Sequence, residues 1–326
     1  MILVTGAAGF IGAAVAQRLL QRGQTVVGVD NLNEYYPAQL KLDRLARVRA
    51  APGGERFVFA RLDLGDGEGL RRLFAEHRFK KVVHLAAQAG VRYSLTHPQA
   101  YVDSNLTGFV NVLECVRAYP VDHCLYASSS SVYGGNTKTP FEESDRVDDP
   151  VSLYAVTKRA NELMAAVYAR QFAIALTGLR FFTVYGPWGR PDMAPMKFTK
   201  AILAGEPIDV YNHGDMLRDF TFIDDIVGGV VAALDRSLDT PADGVPHSIF
   251  NIGNNKPVPL MHFIDVLEQA LGRRAVRRLL PMQPGDVPAT AASIERLRQA
   301  TGWSPSTSIE TGLPQMVRWY RDYFPL

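Results

Sequence analysis

The feature that most restricts the fold is a glycine-rich segment near the start of the chain, where residues 6–12 read GAAGFIG. It follows a short apolar run and opens a longer amphipathic stretch. Gly6 permits a tight turn, Gly9 lets a pyrophosphate approach the backbone, and Gly12 allows a helix to pack closely on a strand. Because a helix N-terminus offers free amides and a positive dipole end to phosphates, this strand–loop–helix unit indicates a dinucleotide site.

Around this segment, short apolar runs alternate with longer amphipathic stretches. The runs are rich in apolar and β-branched residues and nearly continuous, which is typical of strands buried on both faces. Strands are predicted over residues 2–4, 25–29, 57–60, 81–84 and 124–127, and helices over residues 10–22, 70–77 and 99–117. The alternation predicts an α/β fold with a Rossmann-type doubly wound parallel sheet.

The pattern changes after about residue 179, where prolines become frequent and the alternation loses its regularity. Strands are still predicted over residues 220–223 and 248–252, and helices over residues 225–234, 260–271 and 309–323. We expect a dinucleotide-binding domain over residues 1–179, with return segments around residues 219–252. We expect a smaller C-terminal α/β domain over residues 180–326 to bind the substrate.

Composition excludes several classes of protein. With 35 Lys and Arg against 33 Asp and Glu, no overall charge attracts nucleic acid or an anionic membrane. Cys115 and Cys124 are too few for a disulfide framework, and no apolar run reaches the ~18 residues of a membrane-spanning helix. The histidines lack ligand spacing, so no metal site is predicted. With no basic leader before the first strand, we expect a cytoplasmic protein without a signal peptide.

An acidic residue after the second strand indicates which dinucleotide is bound. Asp30 lies about 20 residues past the glycines, where a carboxylate accepts hydrogen bonds from a free ribose 2′-hydroxyl and repels a 2′-phosphate. This favours NAD over NADP, although an acid at a strand end also serves as a turn or capping residue. Asp63 and Leu64, after the third strand, are placed near the adenine. That assignment is weaker, because Asp is common in turns.

A tyrosine, a lysine and a serine form the candidate catalytic group. Tyr154 and Lys158 are four residues apart, so they share one face of a helix. A free tyrosine has a pKa of ~10, and we expect the Lys158 ammonium and a bound nicotinamide ring to lower it. Four serines at residues 128–131 follow the fifth strand and supply a hydroxyl to share the substrate proton. Each pattern alone arises by chance, but this order after the glycine segment and Asp30 does not.

These motifs together resemble the extended short-chain dehydrogenases/reductases of the nucleotide-sugar epimerase group, over nearly the whole chain. The resemblance is closest to the UDP-glucuronate 4-epimerases. It is carried by the sequences at residues 30–36, 84–94, 180–193 and 282–290, which are far more specific than the shared fold motifs.

The resemblance implies roles that spacing alone does not assign. Ser129 matches the catalytic hydroxyl, Asn105 the asparagine that braces the active site, and Arg218 and Asp286 the groups that hold the diphosphate and the uridine ribose. The implied NAD-binding residues are Gly6, Gly9, Phe10, Ile11, Gly12, Asp30, Asn31, Asp63, Leu64, Leu85, Ala86, Ala87, Asn105, Tyr154 and Lys158. The implied substrate-binding residues are Ser129, Ser130, Thr183, Arg190, Arg218 and Asp286.

The reaction implied is the conversion of UDP-glucuronate to UDP-galacturonate by oxidation and re-reduction at C4. Tyr154 takes the C4 hydroxyl proton while a hydride passes to NAD, the 4-keto sugar turns over, and the hydride returns to its other face. NAD is regenerated, so the reaction has no net redox change.

Related reactions need groups that this chain lacks. Dehydratases of the group carry an acidic pair, and decarboxylases usually an acid, where Ser130 and Ser131 stand here. An epimerase must also restrain the carboxylate of its β-keto acid intermediate, and Arg190 and Thr183 are the candidates. The alternative for Arg190 is a loop arginine paired with Asp192. UDP-glucose 4-epimerase, UDP-glucuronate decarboxylase and a non-catalytic NAD-binding sensor stay open as alternative functions.

We also expect a homodimer. The helices at residues 99–117 and 154–171 correspond to the pair through which relatives form a two-fold dimer. Each carries more apolar residues than one sheet face requires.

Overall fold

A computed structural model describes residues 1–237, 244–283 and 286–324. Its strands are β1 (Ile2–Thr5), β2 (Val26–Asp30), β3 (Phe57–Arg61), β4 (Lys81–His84), β5 (His123–Ser129), β6 (Leu176–Phe181), β7 (Thr183–Tyr185), β8 (Pro207–Val210), β9 (Leu217–Arg218), β10 (Phe220–Phe222), β11 (His247–Ile252), β12 (Val258–Pro259) and β13 (Val276–Leu279). Its α-helices are α1 (Phe10–Gln21), α2 (Ala38–Ala50), α3 (Gly67–His77), α4 (Tyr93–Thr96), α5 (Pro98–Tyr101), α6 (Gly108–Ala118), α7 (Leu153–Phe172), α8 (Ala194–Ala204), α9 (Ile223–Asp235), α10 (Leu260–Leu271), α11 (Glu295–Thr301) and α12 (Ile309–Tyr323). Single 3₁₀ turns lie at Gly54–Arg56, Ser130–Tyr133 and Tyr211–Gly214, and a π-helical segment lies at Val102–Thr107.

Seven parallel strands form the central sheet, in the order β11-β6-β5-β4-β1-β2-β3. The strand order reverses between β1 and β4, so a crevice opens at the carboxyl ends of these two strands. One face of the sheet is covered by an apolar core that includes α1 and α9, and the other by a core that includes α3, α6 and α7. The predicted Rossmann-type, doubly wound α/β fold is confirmed, and no described helix is long and apolar enough to cross a membrane.

The second half of the chain contributes both to the central sheet and to smaller layers. β11 pairs with β6 at the edge of the central sheet, and α9 packs against α1. Three two-stranded sheets, β7 with β10, β8 with β13 and β9 with β12, lie outside the central sheet. This arrangement brings residues from after β6 to the carboxyl ends of the central strands.

The prediction of one continuous helix over residues 99–117 is wrong in one respect. A π-helical segment, Val102–Thr107, separates α5 from α6. Within it Asn105 is buried, accepts a hydrogen bond from the Gln88 amide at 2.8 Å and donates to Thr157 Oγ1 at 3.0 Å. Such π-bulges are common at functional sites, and here the wider turn coincides with the side chain that links the segment after β4 to α7.

Candidate active site

One cleft of about 460 Å³ lies across the carboxyl ends of the central strands. This volume is in the range of small-molecule sites. Among the predicted residues, those that line the cleft are Gly6, Gly9, Phe10, Ile11, Gly12, Asp30, Asn31, Asp63, Leu64, Leu85, Ala86, Ala87, Ser129, Ser130, Tyr154, Lys158, Thr183, Arg190, Arg218 and Asp286. Asn105 is not part of the lining and lies behind it, hydrogen-bonded to the cleft residue Gln88.

The glycine segment forms a cradle that only glycine allows. Gly6 has φ +70°, and a Cβ atom there would lie 2.8 Å from the Ala86 amide nitrogen. A Cβ atom on Gly12 would lie 2.0 Å from the Gly6 carbonyl oxygen. No side chain caps the N-terminus of α1. Its first amides are therefore directed to the cleft without a protein partner, as the pyrophosphate of a dinucleotide requires.

Asp30 has both a turn role and a position suited to a ribose. Its carboxylate accepts hydrogen bonds from the Ala8 amide at 3.1 Å and from the Leu32 amide at 2.8 Å. Asn31 donates to Asp63 at 2.7 Å, which joins the ends of β2 and β3. Lys41 lines the same end of the cleft and was missed by sequence reasoning, because a lysine on a helix normally faces solvent.

The candidate catalytic side chains come from β5 and α7. Ser152 caps α7, since its Oγ accepts a hydrogen bond from the Ala155 amide at 3.1 Å, and Tyr154 follows in the first turn. Ser129 ends β5 and lines the cleft with Tyr154, and its Oγ accepts hydrogen bonds from the amide and the hydroxyl of Ser131 at 3.2 and 2.9 Å. Lys158 is buried one turn further along and donates to the Ala127 carbonyl at 2.8 Å.

The pKa of Tyr154 corrects one expectation. Burial raises this pKa above the usual value of 10.0, while the Ser129 hydroxyl and the charge of Arg190 act in the opposite direction. Lys158 is not among the groups that lower the pKa of Tyr154, and its ammonium donates to the Ala127 carbonyl. Burial lowers the pKa of Lys158 itself to about 8, partly opposed by Glu162. The protein alone therefore keeps Tyr154 protonated, and a further positive charge is needed to favour the phenolate.

A buried ion pair supports this group from behind. Arg180 on β6 donates to both carboxylate oxygens of Glu162 on α7, at 2.8 and 2.9 Å. Ser128, the neighbour of Ser129, donates to the same carboxylate at 2.7 Å. Glu162 thus joins α7, β5 and β6 one helical turn after Lys158. The sequence signal for this ion pair was Arg180, a charged residue inside the otherwise apolar run of β6.

On the substrate side of the cleft, Arg190 forms the alternative pairing. Its Nε and Nη2 donate to the two Asp192 oxygens at 3.1 and 2.5 Å. Arg218 donates to the Leu217 and Pro288 carbonyls at 2.9 and 3.0 Å. Asp286 lies 3.5 Å from the guanidinium of Arg92, a cation that the spacing did not identify.

In the described part of the chain, no cluster of three or more His, Cys, Asp or Glu side chains is arranged to hold an ion. His84, at the end of β4, is buried and hydrogen-bonded to Thr5 at 2.8 Å. Burial lowers its pKa to about 3, so it is a neutral packed histidine rather than a base.

Comparison with known proteins identifies a family, relatives with similar sequences and a solved structure with the same fold. Residues 2–253 match the model of the NAD dependent epimerase/dehydratase family. The chain is 49% identical to UDP-glucuronate 4-epimerase 1 of Arabidopsis thaliana, over 99% of this chain and 77% of that protein. It is 47% identical to the probable UDP-glucuronate 4-epimerase of Rhizobium meliloti, over 98% and 96% of the two chains. A crystal structure of UDP-glucuronic acid 4-epimerase from Bacillus cereus, in complex with UDP-glucuronic acid and NAD, superimposes with a TM-score of 0.90, 34% identity and 99% coverage of both chains.

Proposed function

We infer the reaction from one premise, which is that this chain belongs to the NAD dependent epimerase/dehydratase family. It is an enzyme that uses NAD to interconvert UDP-glucuronate and UDP-galacturonate at C4 through a transient 4-keto sugar. The observation that supports this reaction best is the cleft itself, in which Tyr154, Ser129 and Arg190 face the same space as the glycine segment.

We propose that residues 1–179, with the return segments around 219–252, hold NAD, and that residues 180–326 hold most of the nucleotide sugar. The amides at the start of α1 bind the pyrophosphate, and Asp30 accepts hydrogen bonds from the adenosine ribose. The other contacts with NAD are assigned to the remaining cofactor-binding residues that the sequence predicts. When bound, NAD supplies the hydride acceptor and a positively charged ring near Tyr154.

Proton transfer at C4 is assigned to Tyr154. Its side chain takes the proton of the C4 hydroxyl group, and the Ser129 hydroxyl, which lines the same cleft, shares that proton. Lys158 is charged below about pH 8 and holds the cofactor ribose, while the positive nicotinamide ring favours the phenolate of Tyr154. Rotation of the 4-keto sugar presents its other face, and the same groups then return the proton.

Retention of the carboxylate is assigned to Arg190 and Thr183. Asp192 takes Nε and Nη2 of Arg190, but Nη1 has no hydrogen-bond partner among the described residues. That end of the guanidinium is free to bind the sugar carboxylate. Ser130 and Ser131 supply no carboxyl group for dehydration or decarboxylation. The remaining substrate contacts are Arg218 with the diphosphate and Asp286 with the uridine ribose.

UDP-glucose 4-epimerase is the alternative within the same mechanism. Its substrate has a neutral C6 and needs no arginine there. We expect a higher kcat/KM for UDP-glucuronate than for UDP-glucose, and we expect Arg190→Ala to lower only the former. Equal kcat/KM values for the two sugars, or an Arg190→Ala variant with unchanged UDP-glucuronate kinetics, would contradict the assignment.

We propose that the protein acts as a cytoplasmic homodimer. Val156, Leu163 and Val167 are 43%, 53% and 56% exposed, and their spacing places them on one face of α7. This face lies beside α6, which packs against α7. An unpaired apolar stripe of this kind on α7 fits a second copy of the chain related by a two-fold axis.

A further inference from the structure

The segment after β2 reaches across the cleft and holds a loop of the other half of the chain. Tyr35 precedes α2 and Arg44 lies within it. Their partners lie in the loop at residues 188–192, between 144 and 157 positions later in the sequence. Because this loop carries Arg190, its position decides where that guanidinium lies in the cleft.

Arg44 joins the loop to the glycine segment. The side chain is 1% exposed and has no carboxylate among its hydrogen-bond partners in the described residues. Its Nε and Nη2 donate to the Trp188 carbonyl at 3.1 and 2.7 Å, and Nη2 donates to the Gly189 carbonyl at 3.1 Å. Its Nη1 donates to the Ala8 carbonyl at 3.2 Å. Nη1 also donates to the Tyr36 hydroxyl at 2.7 Å. A buried charge whose other partners are carbonyls of two distant loops fixes the distance between those loops.

Tyr35 acts on the same loop through Asp192. The Tyr35 hydroxyl donates to Asp192 Oδ2 at 3.0 Å, and that carboxylate accepts two further bonds from Arg190. The ring of Tyr35 also lies beside the guanidinium, with 5.9 Å between the ring centroid and Cζ of Arg190. Asp192, which is itself held by Tyr35, therefore fixes the Nε–Nη2 edge of the Arg190 guanidinium.

The remaining end of the guanidinium belongs to a side chain that lines the cleft. Arg190 lines the cleft together with Tyr154, and its positive charge acts on the Tyr154 hydroxyl. A guanidinium can bind one carboxylate along its Nε–Nη2 edge and another at its remaining end. The first position is taken by Asp192, so the second is available to a ligand that reaches Tyr154.

We propose that Tyr35, Asp192 and Arg44 are positioning residues that orient Arg190 toward the carboxylate of the substrate. The inference rests on the proposed function, since it needs a uronate in the cleft. It extends that function because Tyr35 and Arg44, two of the three positioning residues, lie in the segment after Asp30 and would help to retain the carboxylate.

The consequence concerns the 4-keto sugar. If its carboxylate rotates so that the C5–C6 bond aligns with the π orbital of the C4 carbonyl, that bond breaks. Its electron pair passes to C5 and onto the carbonyl oxygen, CO₂ leaves, and a proton adds at C5. The hydride taken from C4 then has no uronate to return to, so one reduced cofactor accumulates for each CO₂. A correctly oriented Arg190 prevents this rotation.

The test uses Tyr35→Phe and Asp192→Asn in the full-length protein. We expect the KM for UDP-glucuronate to rise roughly threefold to tenfold, as for one lost hydrogen bond, with a smaller change in kcat. We expect a UDP-4-keto-pentose and reduced cofactor to accumulate together. The affinity for UDP, which lacks the sugar carboxylate, should stay at the wild-type value by calorimetry. Arg44→Lys keeps the charge but loses the fork that spans two carbonyls, and it should act in the same direction.

Tyr323→Phe is the matched control. Its hydroxyl bonds to Asp43, next to Arg44, and its ring lies 5.1 Å from the ring of Trp188. The variant therefore removes a tyrosine–carboxylate hydrogen bond to α2 but keeps the ring that packs on Trp188. It should behave as wild type. Wild-type kinetics and product purity in Tyr35→Phe and Asp192→Asn would overturn the inference. So would an equal loss of affinity for UDP and UDP-glucuronate, which indicates general damage. Failure of the wild-type protein to turn over UDP-glucuronate would instead refute the proposed function.

Discussion

Replacing Arg180 by Met tests the buried support of the active site. Arg180 and Glu162 have side chains that are 2% and 0% exposed, and two parallel hydrogen bonds join them. The substitution keeps the volume and the apolar stem but removes the counter-charge. Glu162 then keeps only the Ser128 hydroxyl and Arg159, which lies 3.1 Å away and is partly exposed.

The expected cost follows from the burial of both charges. Removing one partner of a buried ion pair leaves an unpaired charge and typically costs about 3–5 kcal/mol of unfolding free energy. An unfolding entropy of roughly 2.1 cal/mol/K per residue over 326 residues converts this to a fall in Tm of about 4 to 7 °C. The double variant Arg180→Met with Glu162→Leu should recover much of the loss, because no charge is left buried.

The assay is urea unfolding followed by circular dichroism, with calorimetry for Tm. Arg146→Met is the matched control, because Arg146 is 89% exposed and pairs only with Asp148 at the surface. It should change stability by less than about 0.5 kcal/mol. Burial acts to raise the pKa of Glu162, but the hydrogen bonds and the charge of Arg180 outweigh it and lower this pKa. The stabilisation by this ion pair is therefore present above the usual value of 4.5 and lost as pH falls below it. An Arg180→Met variant whose unfolding free energy lies within about 1 kcal/mol of the wild-type value would refute the reasoning.

Three further results are expected. Tyr154→Phe should lower kcat by roughly 10²–10⁴-fold without changing the fold, because a proton-transfer group is lost. Tyr168→Phe on the same helix should keep wild-type turnover, and equal kcat values in the two variants would rule out Tyr154 as the proton-transfer group. Because burial lowers the pKa of Lys158 to about 8, kcat/KM should fall as pH rises through that value and the ammonium is lost, so a constant kcat/KM up to about pH 10 would contradict its role. Leu163→Glu should give a monomer by light scattering at micromolar concentration, while Leu279→Glu, at a leucine that is 51% exposed on β13, should stay dimeric; a dimer in both would place the interface elsewhere.

The glycine segment, the first five strands and the tyrosine–lysine pair were accessible from sequence because each is set by local chemistry. Gly6 and Gly12 sit where any side chain collides with backbone. The apolar runs become parallel strands because both of their faces are covered. These features need no knowledge of distant partners.

The missed features depend on partners far away in sequence. β6 was not predicted as a strand because Arg180 interrupts its apolar run, and only the fold brings Glu162 to it. Helix α2 was missed because Lys41 and Arg44 give it the pattern of a solvated surface. The sign of the pKa shift of Tyr154 was also out of reach, since it depends on how deeply α7 is packed and on where Lys158 points.

The most direct test of the central claim is a product analysis. Purified protein is incubated with UDP-glucuronate and with NAD at a small fraction of the substrate concentration, and the nucleotide sugars are separated by chromatography. Because epimerisation regenerates the cofactor, UDP-galacturonate should form in large excess over the NAD supplied. UDP-xylose or a UDP-4-keto-pentose as the main product, or a yield that never exceeds the NAD supplied, would contradict epimerisation at C4.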